Sequence, residues 1–197
     1  MTTRSRRLVA WALVGGLAFV LADCGGAASS STPFASTASG APSAADLRAY
    51  VAQVEGVRLP VNRLLLGADP ILDGYRTHTL TPQAAGDQMS ALELQFATYV
   101  VAAESLDPQN ATLRTLNAPY ANTYYLEDNY LSVLAADLSS GSFDGLPDTQ
   151  NAQRLAIIEW RTRLQVVANA AGVRLPDDLQ QAGRGEIAPS PHRQLIS

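Results

Sequence analysis

Apolar residues recur with the period of a helix from about residue 44 to residue 182, and strand patterns hardly occur. A 3.6-residue period puts one stripe of each segment on a common core, whereas strand side chains alternate between two faces. Leu47, Tyr50, Val54, Val57, Val61 and Leu65 share one phase, and Leu72 and Tyr75 carry it across Pro60 and Pro70. This predicts one long helix over 44–76, bent at its prolines, with Gly56 making room for the Pro60 ring. The alternative is two or three shorter helices with turns near Gly67 and Gly74. Ser43 and Asp46 form a capping-box start.

Thr81-Pro82 opens a second helix, with Thr as cap and Pro in the first position. Its stripe is Met89, Leu92, Phe96, Tyr99, Val100 and Ala103, and it ends near Leu106. Asp107-Pro108 repeats the start signal. The third helix carries Leu113, Leu116, Tyr120, Tyr124, Leu131 and Leu134, with a bend expected at Pro119. A Gly-rich loop over 139–146 leads to a fourth helix from about Pro147. It buries Ile157, Trp160, Leu164 and Ala168 and is closed by Gly172 in a left-handed cap. Pro176-Asp177-Asp178 starts a last short helix to about Ala182.

Short connections favour antiparallel neighbours. The expected fold class is all-α: an up-down-up-down four-helix bundle with proline-bent helices and a short C-terminal helix. Gly-Val-Arg-Leu-Pro occurs at 56–60 and again at 172–176. Its flanks do not match, so the repeat reads as coincidence rather than duplication.

The N-terminal part is of another kind. Arg4, Arg6 and Arg7 form a positive head, followed by an apolar run from Leu8 to Ala22. A membrane-spanning helix needs about 20 apolar residues; this run is shorter and has the order of a secretory signal. It ends in Leu21-Ala22-Asp23-Cys24-Gly25, which contains the only cysteine of the chain. This resembles the signal of bacterial lipoproteins. The resemblance implies that Cys24 is lipidated, with acyl chains such as palmitate, and becomes the mature N-terminus. Asp23 departs from the small residue that the pattern wants there. Cleavage after Ala22, giving a secreted protein, is the alternative. Ser5-Arg6-Arg7-Leu8 partly resembles a twin-arginine export signal, but is read here as a plain positive head.

The expected organisation is a signal peptide at 1–23, a flexible tether at 24–43, a helical domain at 44–182 and a disordered tail at 183–197. The tether contains Gly, Ala, Ser, Thr and Pro with one aromatic, Phe34, and cannot bury enough surface to fold. Removing residues 1–23 takes three of the fourteen Arg and one of the eighteen acids, leaving a net charge near −6. That charge disfavours nucleic acid as a partner. The expected partners are the membrane, through lipidated Cys24, and a protein of the envelope. With Cys24 the only cysteine, no disulfide can close within the chain.

The usual chemical motifs are missing. Neither His78 nor His192 follows a Glu at the spacing of di-iron bundles. No Gly-rich phosphate loop, Gly-x-Ser-x-Gly elbow or Cys/His metal spacing occurs. No cofactor, metal or catalytic activity is expected. One residue breaks the pattern: Glu127 falls in the third apolar stripe, between Tyr124 and Leu131. A buried carboxylate needs a cation, hydrogen bonds or a proton. Helical counting brings Arg58, Trp160 and Arg161 to its height. Glu127 is therefore expected in a buried ion pair with Arg58 or Arg161. The functional alternative is a small-ligand carrier, with a pocket lined by Tyr120, Tyr124 and Trp160 and an arginine meeting an anionic group. A cell-envelope hydrolase using Glu127 and Asp128 is the weakest reading, because adjacent helical positions point about 100° apart. Tyr125 and Tyr130 are expected to point away from the stripe.

Overall fold

The computed structural model describes residues 40–180. The signal, most of the tether, His192 and the tail lie outside them. Every regular element among the described residues is a helix: α1 Ala44–Leu65, α2 Ala68–Arg76, α3 Pro82–Glu104, α4 Ala111–Ser140, α5 Leu146–Ala170 and α6 Asp177–Gln180. The all-α fold class stands. α4 packs against α3 on one side and α5 on the other, while α1 and α2 pack against α3. No described helix is long and apolar enough to cross a membrane.

Local chemistry sets the helix starts. Ser43 Oγ accepts from the Asp46 N–H at 3.1 Å, and Asp46 Oδ2 accepts from the Ser43 N–H at 3.2 Å, closing the capping box. Thr81 Oγ1 accepts from the Ala84 N–H, with Pro82 in the first turn of α3. At α4 the start differs from the Asp107-Pro108 expectation. Asn110 is the cap, its Oδ1 accepting from the Thr112 and Leu113 N–H groups at 2.9 and 3.3 Å. An Asn side chain serves two orphan donors at once. Gly141 closes α4 at φ 74° and Gly172 follows α5 at φ 64°, both in the left-handed region where a Cβ is costly.

The expected single helix over 44–76 is instead two, α1 and α2. The break falls at Leu66-Gly67, four residues before Pro70. In a continuous helix the Pro70 ring would press on the Leu66 carbonyl. By restarting at Ala68, the chain puts Pro70 in a first turn, where its missing N–H costs nothing. Pro60 and Pro119 stay inside α1 and α4. Gly56 does not have the role expected: a Cβ there would meet nothing within 4 Å, so it does not make room for Pro60.

The core runs along all the long helices, and its largest fully buried side chains include Tyr50, Phe96, Tyr120 and Tyr130. Tyr130, expected to point away, is 0% exposed. It lies in phase with Glu127 and Leu134 on a helix buried on two sides. Tyr125 does point outward, half-exposed beside Glu104, whose hydrogen bond raises the Tyr125 pKa.

Candidate functional site

The residues singled out around Glu127 come together. A cavity of about 60 Å³ is lined by Arg58 from α1, Phe96 from α3, Tyr124 and Glu127 from α4, and Trp160 and Arg161 from α5. All six are buried. Each lies on the core stripe of its helix.

Aromatic rings form the cavity's apolar wall. Phe96 stacks on Tyr124 at 5.8 Å between centroids, Tyr120 meets Tyr124 edge-on at 5.0 Å, and Tyr120 lies 4.7 Å from Trp160. Such offset and edge contacts are the favoured aromatic geometries. The hydroxyls are tied in as well. Tyr120 and Tyr124 share a hydrogen bond of 2.7 Å, and the Tyr120 hydroxyl reaches the Val54 carbonyl at 3.3 Å. The Tyr50 hydroxyl donates to Asn117 Oδ1 at 3.4 Å. Burial drives the pKa of Tyr50 and Tyr120 far above the ordinary phenol value, so both stay protonated.

The cations divide into two cases. Arg58 is 5% exposed. Its Nε donates to Glu55 Oε1 at 3.1 Å, and Nη2 donates to Glu55 Oε2 at 3.0 Å and to Asp178. Burial alone would lower its pKa; the hydrogen bonds and charges of Glu55 and Asp178 outweigh that and raise it. Arg161 is 3% exposed and shares the cavity wall with Glu127, which is 5% exposed.

Asp128, the hydrolase partner considered for Glu127, does not line the cavity. It interacts instead with Glu93 of α3, whose pKa is raised by burial and then by the Asp128 charge. Burial also raises Asp128 itself. Among the described residues no group of three or more His, Cys, Asp or Glu could hold a metal ion. His78 lies in the α2–α3 turn at φ 57°.

The sequence reading passed over the contacts of three polar residues, Asn117 and Gln153, which are buried, and Asp178, which is exposed. Asn117 donates to the Ala103 and Leu106 carbonyls at 3.1 and 3.2 Å, finishing the end of α3 from α4. Gln153, 2% exposed, lines the cavity from α5. Asp178 reaches Arg58 from the far end of the chain. Asn117 and Gln153 fall in phase with their stripes, at Leu113 plus four and Ile157 minus four; that signal was available.

No protein-family model matches the chain, and no similar curated protein or solved structure is found.

Proposed function

We propose that this chain is a lipid-anchored, extracytoplasmic helical binding or scaffold protein of the bacterial cell envelope, without catalytic activity. The observation that carries this reading is Cys24, the single cysteine, at the end of the apolar run and ahead of a charge-free spacer. Such a spacer holds a domain clear of the membrane that the acyl chains enter. α1, α3, α4 and α5 are read as the rods of an up-down-up-down four-helix bundle, and a cavity lined from all four supports that topology.

The cavity also bears on the choice of partner. Sites for small molecules run to roughly 300–1,000 Å³, against about 60 Å³ here. That weighs against a small-ligand carrier with its pocket around Glu127. The separation of Glu127 from Asp128 weighs against a paired-carboxylate hydrolase.

The test is fractionation of cells expressing the wild type and Cys24→Ala, with mass spectrometry of the mature N-terminus. The expected result is a membrane-bound chain that begins at an acylated Cys24, released or left unprocessed in the variant. A mature chain beginning at unmodified Asp23 would refute the anchor and leave a secreted protein.

A further inference from the structure

Large apolar side chains are left exposed on the outer side of the α3–α4 pair. Leu94 and Val101 are 69% and 62% exposed, and their spacing puts them on one face of α3. Tyr125 of α4, 47% exposed, lies beside Glu104, one turn after Val101. One turn further along α4, Asp128 interacts with Glu93, the neighbour of Leu94. The two helices thus meet along a seam marked by Glu93 with Asp128 and by Glu104 with Tyr125. The two points stand about 16 Å apart along α3, at 1.5 Å per residue. Leu94 and Val101 lie about 80–100° round α3 from Glu93, on the side away from the buried Met89 and Phe96, and so flank the seam on its outer side.

The charge of this pair of helices is one-sided. α3 carries Asp87, Glu93 and Glu104 and no basic residue. α4 carries Glu127, Asp128 and Asp137 against one arginine, Arg114, whose Nη1 is turned to the Pro108 and Gln109 carbonyls. Elsewhere exposed acids have an arginine within a turn: Asp73 has Arg76, Glu159 has Arg163 and Asp177 has Arg174. Glu93 and Asp128 have only each other, and Asp128 Oδ1 is buried without a hydrogen bond. Burial raises the pKa of both, and in Glu93 the Asp128 charge adds to the rise. An incoming cation would relieve both effects.

We propose that this outer face docks a basic, apolar helix of a partner protein. Aliphatic side chains of the partner cover Leu94 and Val101 beside Tyr125, and a Lys or Arg one turn away meets Glu93 and Asp128. The spacing of Leu94 and Val101 is two helical turns, which a facing helix matches with its own repeat. The inference rests on reading the chain as a binding protein and names the surface of that binding. A second copy of this chain fits worse, because pairing the same face twice brings the two sets of acids together.

The probe is a fluorescein-labelled amphipathic peptide of Leu and Lys, about five helical turns long. It is titrated by anisotropy against the mature full chain in nonionic detergent, with empty micelles as the blank. Saturable binding is expected. It should weaken about tenfold or more, a loss of about 1.4 kcal/mol, in Glu93→Gln with Asp128→Asn and in Leu94→Ser with Val101→Ser. Asp69→Asn with Asp148→Asn removes as much charge from α2 and α5 and should leave binding unchanged, as should Leu155→Ser with Val166→Ser on the exposed face of α5. A peptide with Glu in place of Lys should not bind. Circular dichroism confirms that each variant is folded.

Non-saturable binding, affinity unaffected by both α3–α4 variants, or an equal loss in the two charge variants overturns the proposal. So does a dimer in sedimentation that Leu94→Ser with Val101→Ser dissolves, which would assign the face to a second copy. Photo-crosslinkers placed in cells at Leu94, Val101, Leu155 and Val166 separate the two levels. Crosslinks to another protein from α5 alone dismiss this face and keep the binding reading, whereas none at any position removes both.

Discussion

Replacing Glu127 by Ala tests the polar centre of the core most directly. Glu127 and Arg161 are 5% and 3% exposed on the wall of one cavity. Arg58, the other cation there, already meets Glu55 and Asp178. The burden of losing Glu127 is therefore expected to fall on Arg161. Truncating one member of a buried charge pair costs roughly 3–5 kcal/mol, because the other charge stays buried without its counter-charge. The cavity admits about two waters at ~30 Å³ each, which can partly solvate the guanidinium. The expected cost is accordingly at the low end, about 3 kcal/mol. With a urea m-value of about 2 kcal/mol/M, the unfolding midpoint drops by about 1.5 M. Glu127→Gln keeps the shape and part of the hydrogen bonding, and should lose less. In a double-mutant cycle, Glu127→Ala and Arg161→Leu should couple by about 1 kcal/mol or more, and Glu127→Ala and Arg58→Leu by less. Urea denaturation followed by far-ultraviolet circular dichroism measures all of these. An unchanged midpoint for Glu127→Ala, with neither arginine coupled to it, would refute the reasoning and return the residue to a ligand-facing role.

Two glycines should respond in opposite directions. At Gly86 a Cβ would sit 1.8 Å from Ser139 Oγ and 2.8 Å from the Ala135 carbonyl oxygen. Gly86→Ala should therefore cost about 1–3 kcal/mol, despite a gain in helix propensity. Gly56→Ala meets nothing within 4 Å and should stabilise by about 0.5–1 kcal/mol; denaturation midpoints moving the same way in both variants would contradict the packing described. Ser43→Ala removes the capping box and should cost about 1 kcal/mol by the same measurement. Glu93, Asp128 and Asp137 all have raised pKa values, burial being the largest cause in each. The folded state then binds more protons than the unfolded one, so their contribution to stability falls as pH rises from the ordinary carboxylate values through the raised ones. Tm should rise as pH is lowered from neutrality toward that window, and Asp128→Asn should flatten the slope; a Tm that only falls on acidification would count against this.

Helix identity and most starts were legible because they are local. Ser43, Thr81 and the glycines after α4 and α5 act within a few residues of themselves. The misreadings of burial in α4 have a common physical source in assuming one buried stripe per helix. α4 buries 13 of its 30 residues because it is packed on both sides. A single stripe therefore captured Tyr124 and Glu127 but left out Tyr130 and Thr123. The meeting of Glu127 with Arg58, Trp160 and Arg161 was legible in part, since phase fixes which side chains face inward and loop lengths fix their heights.

The repeated Gly-Val-Arg-Leu-Pro marks the limit of that kind of reading. At 56–60 the five residues lie inside α1, with Val57 and Arg58 buried and Leu59 exposed. At 172–176 the same five run without helix, with Val173 and Leu175 buried and Arg174 exposed, an alternation of period two. One string thus adopts two backbones and buries its arginine in only one of them. Propensity is the same in both copies, so the difference comes from what each packs against. The first copy continues a capped helix that runs on to Leu65. The second follows a left-handed glycine and precedes Asp177-Asp178, and its alternating apolar side chains, Val173 and Leu175, are buried. Arg58 of the first copy meets Asp178, two residues beyond the second copy and 120 residues away in the chain. No local period spans such a separation. The arginine's first partner, Glu55, lies three residues away in α1, but its second, Asp178, had to come from the fold.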